Sequence, residues 1–200
     1  MLLVVDSATA ACSAALIDGD RVVAEAHEVV GRGHAERLVP MIEELLAGRR
    51  PAAILVDCGP GSFTGVRVGL AAAHGLAIGW QVPLSGYSST SAVAAAFSGE
   101  PEIAVALHGG HGQLFVQSFA HDPLVPTDDL RSLLPEVAAA AIASPLVAGS
   151  GAQTLVSARG WGRAIDALPR AQDARLLPPA LRSLPPRPIY GRAPDAKPAS

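Results

Sequence analysis

Three groups of residues in this 200-residue chain carry polar groups at spacings that chemistry could use. Asp6 closes the apolar run Leu2-Leu3-Val4-Val5 and precedes Ser7-Ala8-Thr9. A carboxylate at that point can hold a magnesium ion, or it can close a turn by accepting hydrogen bonds from the next few backbone amides. The second group is Cys58-Gly59-Pro60-Gly61-Ser62-Phe63-Thr64-Gly65-Val66-Arg67, which joins the apolar run Ile54-Leu55-Val56 to a long apolar segment. The backbone amides of Gly59, Gly61 and Ser62 at a helix N-terminus can cradle a phosphate. The same glycines can instead let a strand-to-helix corner pack closely. The third group is His108-Gly109-Gly110-His111-Gly112. Two imidazoles three residues apart suggest a metal, but catalytic zinc wants three protein ligands, and His27, His34, His74 and His121 offer no helpful spacing. A glycine-loosened hairpin tip is the better reading, and no metal is expected.

Absences narrow the chemistry further. The only lysine, Lys197, lies far from the glycine turn, which excludes a Walker-type phosphate loop and a Schiff-base lysine. Ser85, Ser88, Ser89 and Ser91 lie within no Gly-x-Ser-x-Gly elbow, so a peptidase or esterase is not supported. Cys12 and Cys58 are too few for a disulfide framework and read as reduced, buried small groups. Half the chain is apolar, ample for a globular core, and the net charge of −3 comes from scattered residues with no basic footprint for nucleic acid. Met1 runs directly into an apolar strand with no basic leader, and no apolar run approaches the roughly 20 residues a bilayer requires. A cytoplasmic protein without membrane contact is the expectation.

The elements that must position these groups follow from periodicity. Strands are expected at 2–6, 11–17 and 21–29, with a hairpin at Asp18-Gly19-Asp20. A helix follows from His34 to about Ala47, then a strand at 53–58, a helix at 64–79 and a strand at 82–86. The second half echoes this more weakly: a helix at 88–97, a hairpin of 103–107 and 113–119, an Ala-rich helix at 136–143, a strand at 146–148 and a helix at 152–158. The stretch 160–200 is Pro-rich and expected to be irregular, with one short helix near 174–181. The expectation is an α/β chain with mixed sheets covered by helices, divided into residues 1–86 and 87–200.

The helix at 64–79 is apolar nearly all round, with Arg67, His74 and Gln81 on one narrow stripe. Such a helix must be buried on nearly all sides. The helix at 34–47 carries Leu38, Met41, Ile42 and Leu45 and can cover part of it. The two helices either satisfy each other inside one domain or leave an apolar patch that serves as a protein interface.

Three segments in order, Asp6-Ser7-Ala8-Thr9, Gly59 to Arg67, and Tyr190-Gly191-Arg192-Ala193-Pro194-Asp195-Ala196, resemble the TsaB (YeaZ) family. The first two lie in a resemblance covering about the first 100 residues. It implies a two-lobed actin-like (ribonuclease H-like) fold, with the second lobe reduced because the chain is short for the family. It implies a non-catalytic subunit in the formation of threonylcarbamoyladenosine on tRNA, a scaffold that pairs with and activates the catalytic subunit TsaD, works with the ATPase TsaE, forms a homodimer when alone and meets tRNA only through the complex. The helix pair would then form the partner surface: Leu38, Met41, Ile42, Leu45, Val68 and Leu76 as apolar contacts, Gly65, Gly69, Ala72 and Ala73 for close approach, His34 and Arg37 at the rim. Active relatives hold magnesium with an acidic residue after strand one and phosphate with glycine turns. By that likeness Asp6, Gly59, Gly61 and Ser62 would be a weak nucleotide site, with ATP or ADP and magnesium bound at the complex interface and nothing held tightly. Departures point away from catalysis: Gly86-Tyr87-Ser88-Ser89-Thr90-Ser91-Ala92 stands where TsaD has a metal-binding His-x-x-x-His, His108-Gly109-Gly110 replaces a usual Asp-Ala-Arg, and Gly149-Ser150-Gly151 is a reduced second glycine turn. The alternative is a small ATP-dependent phosphotransferase of the same fold.

Overall fold

Alternation along β1 (Leu2–Asp6) and β4 (Ala53–Asp57) sends Leu3, Val5, Ile54 and Val56 to one side of a sheet and Val4 and Leu55 to the other. Both sides must therefore be covered, and the fold does so in layers. The computed structural model describes residues 1–191; Arg192 to Ala196 of the closing motif lie outside the described residues. With β2 (Ala11–Asp18), β3 (Arg21–Val29) and β5 (Leu84–Tyr87), the first sheet has the order β3-β2-β1-β4-β5. β1 to β3 pair antiparallel through hairpins, whereas β4 and β5 join parallel to β1. The parallel joins need crossovers, supplied by α1 (His34–Leu46) and α2 (Phe63–Trp80). Both helices bury their inner sides on the outer face of this sheet.

The second sheet repeats the plan in shorter elements. β6 (Glu102–His108) and β7 (Leu114–Ala120) form the hairpin, α4 (Pro135–Ala141) leads to β10 (Leu146–Ala148), and α5 (Ala152–Arg159) leads to β11 (Arg163–Ile165). The order is β11-β10-β6-β7-β8, where β8 is Val125–Pro126 and β9 (Arg131–Leu133) also pairs with β7. Ala104 and Ala106 face α4 and α5, while Ile103, Val105 and Leu107 face the first sheet. The central core is shared: Val4, Ile17 and Leu55 of one sheet and Ile103, Leu107 and Phe119 of the other belong to a single apolar cluster, with α3 (Ser89–Ala95) contributing Ala92 to Ala95.

Two expectations need correction. The helix foreseen near 174–181 is a pair of 3₁₀ turns, Ala171–Leu176 and Pro179–Arg182, because Pro178 and Pro179 interrupt any α-helical ladder. The stretch beyond 160 also contributes β11, whose three residues are too short for periodicity to reveal. From Leu184 the chain returns to the first lobe: Leu184 bridges Gly86, and Ile189 donates its N–H to the Cys58 carbonyl at 2.8 Å. Among the described residues no helix is long and apolar enough to cross a membrane.

Candidate functional site

The glycine corner between β4 and α2 is built against the loop that follows β1. A methyl group on Gly61 would lie 2.0 Å from the Ala8 carbonyl oxygen, and one on Gly65 would lie 2.1 Å from that of Ser7. Only glycine permits this approach. The corner's amides are largely engaged by the chain itself. Gly59 N–H donates to Asp57 Oδ1 at 2.7 Å, Ser62 N–H to the Ala8 carbonyl at 2.6 Å, and Gly65 N–H to Ser62 Oγ at 3.3 Å. Gly61 and Gly65 thus let the corner pack closely on the loop after β1. The reduced turn at Gly149-Ser150-Gly151 stands at the equivalent place in the second lobe, between β10 and α5, and does the same: Gly151 N–H donates to the Ala106 carbonyl at 2.9 Å, and a methyl on Gly149 would lie 2.2 Å from that oxygen.

Beneath the first corner, Asp6 and Asp57 end neighbouring parallel strands. Val5 is paired with Val56, so the two carboxyls sit side by side, Asp6 fully buried and Asp57 1% exposed. Asp6 Oδ1 accepts from Ala8 N–H at 3.0 Å, and Oδ2 has no other donor among the described residues. Ser89 Oγ lies 2.9 and 2.7 Å from the two Asp57 oxygens. Burial, followed by the Asp57 charge, holds the Asp6 carboxyl well above the usual range. Burial pushes Asp57 up to about 6 against the opposing hydrogen bonds from Ser89 and Gly59. Two raised, buried carboxyls side by side favour a proton held by the pair, and Asp6 Oδ2 is the oxygen left without a donor. Magnesium does not fit it: the ion keeps several waters, yet this pair is sealed and already occupied by Ser89 and Gly59. Cys58 beside it and Cys12 are free thiols, pushed by burial to about 12 and about 11.

The expected partner residues divide into two sets. Leu38, Met41, Ile42, Leu45, Gly65, Gly69 and Ala73 are buried in the chain's own core. His34 is buried as well, its Nε2–H donating to the Thr9 carbonyl at 2.9 Å, so it docks α1 onto the loop after β1. Arg37 lies at the surface, held by Glu28 at 2.6 Å and Glu44 at 3.0 Å. Val68, Ala72 and Leu76 are half-buried. The outward-facing residues of α2 include an uncharged stripe, Thr64, Ala71, Gly75 and Ile78, and Val39 is exposed on α1; Ile78 is 77% and Val39 51% exposed.

The polar stripe of α2 has a partner in the returning chain. His74 Nε2–H donates to the Pro186 carbonyl at 3.1 Å, and Arg67 Nη2–H donates to the Tyr190 hydroxyl at 2.7 Å. Arg67 also lies over the Phe63 ring, its Cζ 3.2 Å from the centroid. This cluster stands at a cleft of about 970 Å³ between the lobes, walled by Thr9, Ser62 and Phe63 on one side and by His108, His111, Phe115 and Ser150 on the other. Neither Asp6 nor Asp57 lines it. His108 meets Thr154 Oγ1 at 3.3 Å, and among the described residues no group of three metal-binding side chains occurs. Sequence reasoning missed Asp57, Ser89 and Tyr190. Asp57 was recoverable, since it ends β4 as Asp6 ends β1; Ser89 and Tyr190 stood in stretches singled out for other reasons, but their contacts with Asp57 and Arg67 depend on long-range packing that local sequence does not show.

Comparison with known proteins gives a consistent result. The model of the family TsaD, tRNA N6-adenosine threonylcarbamoyltransferase, matches residues 25–125. The tRNA threonylcarbamoyladenosine biosynthesis protein TsaB of Escherichia coli (strain K12) is 33% identical over 129 residues, which are 60% of this chain and 55% of that protein. TsaB of Haemophilus influenzae is 43% identical over 101 residues, 48% of this chain and 42% of the other. The chain thus spans about half the length of these curated relatives. Among solved structures, YeaZ from Pseudomonas aeruginosa superposes with a TM-score of 0.75 at 31% identity, covering 88% of this chain and 89% of that one. A second protein from that organism, described as uncharacterized with similarity to peptidase YeaZ, gives 0.79 at 28% identity over 96% and 99%.

Proposed function

Since the chain belongs to the TsaB (YeaZ) family, we propose that it is a scaffold subunit without chemistry of its own in the formation of threonylcarbamoyladenosine on tRNA. It pairs with and activates the catalytic subunit TsaD, works with the ATPase TsaE, self-associates when alone, and meets tRNA only through the complex, in the cytoplasm. ATP or ADP with magnesium meets this chain only at the interface with a partner. The observation that carries the reading is the outward stripe of α2. Ile78 and Val39 stand exposed among Ala71 and Gly75, so an apolar surface is flanked by side chains small enough for another helix to approach closely. The partner surface is therefore Val39, Val68, Ala71, Ala72, Gly75, Leu76 and Ile78, with Arg37 at its rim; the inner-facing leucines belong to the fold.

The test is co-elution of the purified full chain with TsaD from the same cell. Ile78→Glu combined with Val39→Glu is expected to abolish co-elution and self-association while leaving the circular dichroism spectrum and thermal midpoint in place. Unchanged assembly by a folded double variant overturns the proposal. The phosphotransferase alternative requires Asp6 to hold magnesium beside a phosphate in the Gly59–Gly65 turn, and the burial of Asp6 with Asp57 away from the cleft gives that alternative no support.

A further inference from the structure

Charge is segregated along this chain. Residues 1–158 hold seven arginines against fifteen carboxylates, a net of −8, whereas 159–200 hold eight basic residues against three carboxylates, a net of +5. Summed over the whole chain this gives −3 and no visible footprint for an anionic partner. The fold restores one, because two acid-free segments meet in space: no Asp or Glu occurs in 58–99 or in 174–191. The second of these returns to the first lobe along the edge of β5 and the polar side of α2. Gly86 N–H donates to the Leu184 carbonyl at 2.7 Å, Ile189 N–H to that of Cys58 at 2.8 Å, and His74 and Arg67 hold Pro186 and Tyr190. Since α1 packs on β2 and β3 and α2 on β4 and β5, α2 stands between the returning chain and the carboxylates of Glu28, Glu36, Glu43 and Glu44. Arg37, Arg131, Arg163 and Arg170 are each paired with a carboxylate, whereas Arg182 and Arg187 on the returning chain pair with none among the described residues. Arg187 is exposed and Arg182 half-buried. Five residues separate them, at most about 17 Å of chain. A guanidinium without a carboxylate keeps its N–H groups for phosphate oxygens.

We infer that this edge of the first lobe, with Arg182 and Arg187 on the returning chain and His74 and Arg67 beside it, contacts the phosphodiester backbone of RNA. The inference rests on the reading that the chain works on tRNA, and it adds which face of the chain the RNA meets. The contact is made by charge and reads no base. The backbone bonds of Leu184 and Ile189 fix the returning chain to the lobe, so the cations are in place before RNA arrives. The same edge adjoins the α2 surface assigned above to the protein partner, so RNA lying there reaches across both subunits. Because the cations are few, the isolated chain holds RNA only at low salt, and at physiological salt the contact adds to that of the partner.

The test titrates a fluorescently labelled tRNA transcript with the full chain alone, between about 20 and about 200 mM KCl, and follows anisotropy. Arg182→Gln combined with Arg187→Gln is expected to weaken binding about tenfold at low salt and to lower the slope of log affinity against log salt by about 1.5, the share of two phosphate contacts. Arg21→Gln combined with Arg32→Gln removes the same charge from exposed positions at the two ends of β3 and should leave the slope unchanged. Arg182→Lys combined with Arg187→Lys should keep the parent slope, since charge makes the contact. Circular dichroism verifies that each variant is folded, and the double Gln variant at 182 and 187 is expected to co-elute with TsaD as the parent does. The inference is overturned if the chain binds no RNA at low salt, if that variant keeps the parent slope, or if it and the β3 control lose affinity alike. Loss of TsaD co-elution with RNA binding intact also overturns it, since the edge would then be a protein contact. The titration needs no TsaD, so a parent chain that fails to co-elute sinks the pairing proposed above and leaves this inference to its own measurement.

Discussion

Asp57 and its neighbour Asp6 make stability depend on pH in the direction opposite to an ordinary salt-bridged carboxylate. Burial raises both in the folded chain, Asp57 to about 6, whereas each titrates near about 3.9 when unfolded. The folded chain therefore holds protons that the unfolded chain has released. The contribution of the pair is complete below about pH 4 and is lost as pH rises through the folded values. Asp57→Asn keeps an oxygen to accept from Gly59 and offers an amide N–H to Asp6, without a charge to repel it. The variant is expected to be more stable than the parent at about pH 8, and its urea midpoint should fall less steeply between about pH 5 and about pH 8. Parallel slopes for the two proteins would show that the pair does not share a proton. Asp6 could be singled out from its place after an apolar run, but its state could not, because burial and the Asp57 neighbour follow from strand pairing and not from local sequence.

At the scale of the element, α2 was legible as a helix and ambiguous as a surface. Its apolar residues surround the axis, so periodicity could not say which of them face the sheet; the structure assigns Val66, Leu70, Ala73 and Ala77 inward and Ala71, Gly75 and Ile78 outward. Its glycines split in the same way. Gly61→Ala drives a methyl into the Ala8 carbonyl and is expected to destabilise the chain by about 1–3 kcal/mol or more in urea titration. Gly75 meets nothing within 4 Å, so Gly75→Ala should stabilise the isolated chain by about 0.5–1 kcal/mol through helix propensity. Gly75→Trp should leave the fold intact yet block partner capture. The two helices also separate core from contact: Leu38→Ala opens a cavity under a fully buried side chain and should cost about 2–5 kcal/mol. Should Gly61→Ala prove neutral, the close-packed account of the corner fails.

Across the whole molecule, the order of strands and helices in the first lobe could be read from alternation and glycine turns, because its elements are long enough to show a period. The second lobe could be read only in part: β10 was legible at 146–148, but β8, β9 and β11, two or three residues long, show no period. Least legible was the joining of the lobes. Val4 and Leu55 share one apolar cluster with Ile103, Leu107 and Phe119, so neither sheet can lose its inner cover without exposing the other. The returning chain adds a second tie, with Leu184 and Ile189 bonded to the first lobe while a methyl on Gly191 would lie 2.6 Å from Phe115 of the second. Two lobes built this way should unfold together. The two tryptophans permit a direct measurement, since Trp80 packs at the end of α2 and Trp161 follows α5, stacked under Arg159. In Trp161→Phe the fluorescence reports the first lobe, and in Trp80→Phe it reports the second. After correction for each variant's stability by circular dichroism, the fluorescence and ellipticity midpoints and denaturant slopes should coincide within each protein. A fluorescence transition that separates from the ellipticity transition in either protein would mean that one lobe survives the loss of the other, and that the central cluster does not hold them as a unit.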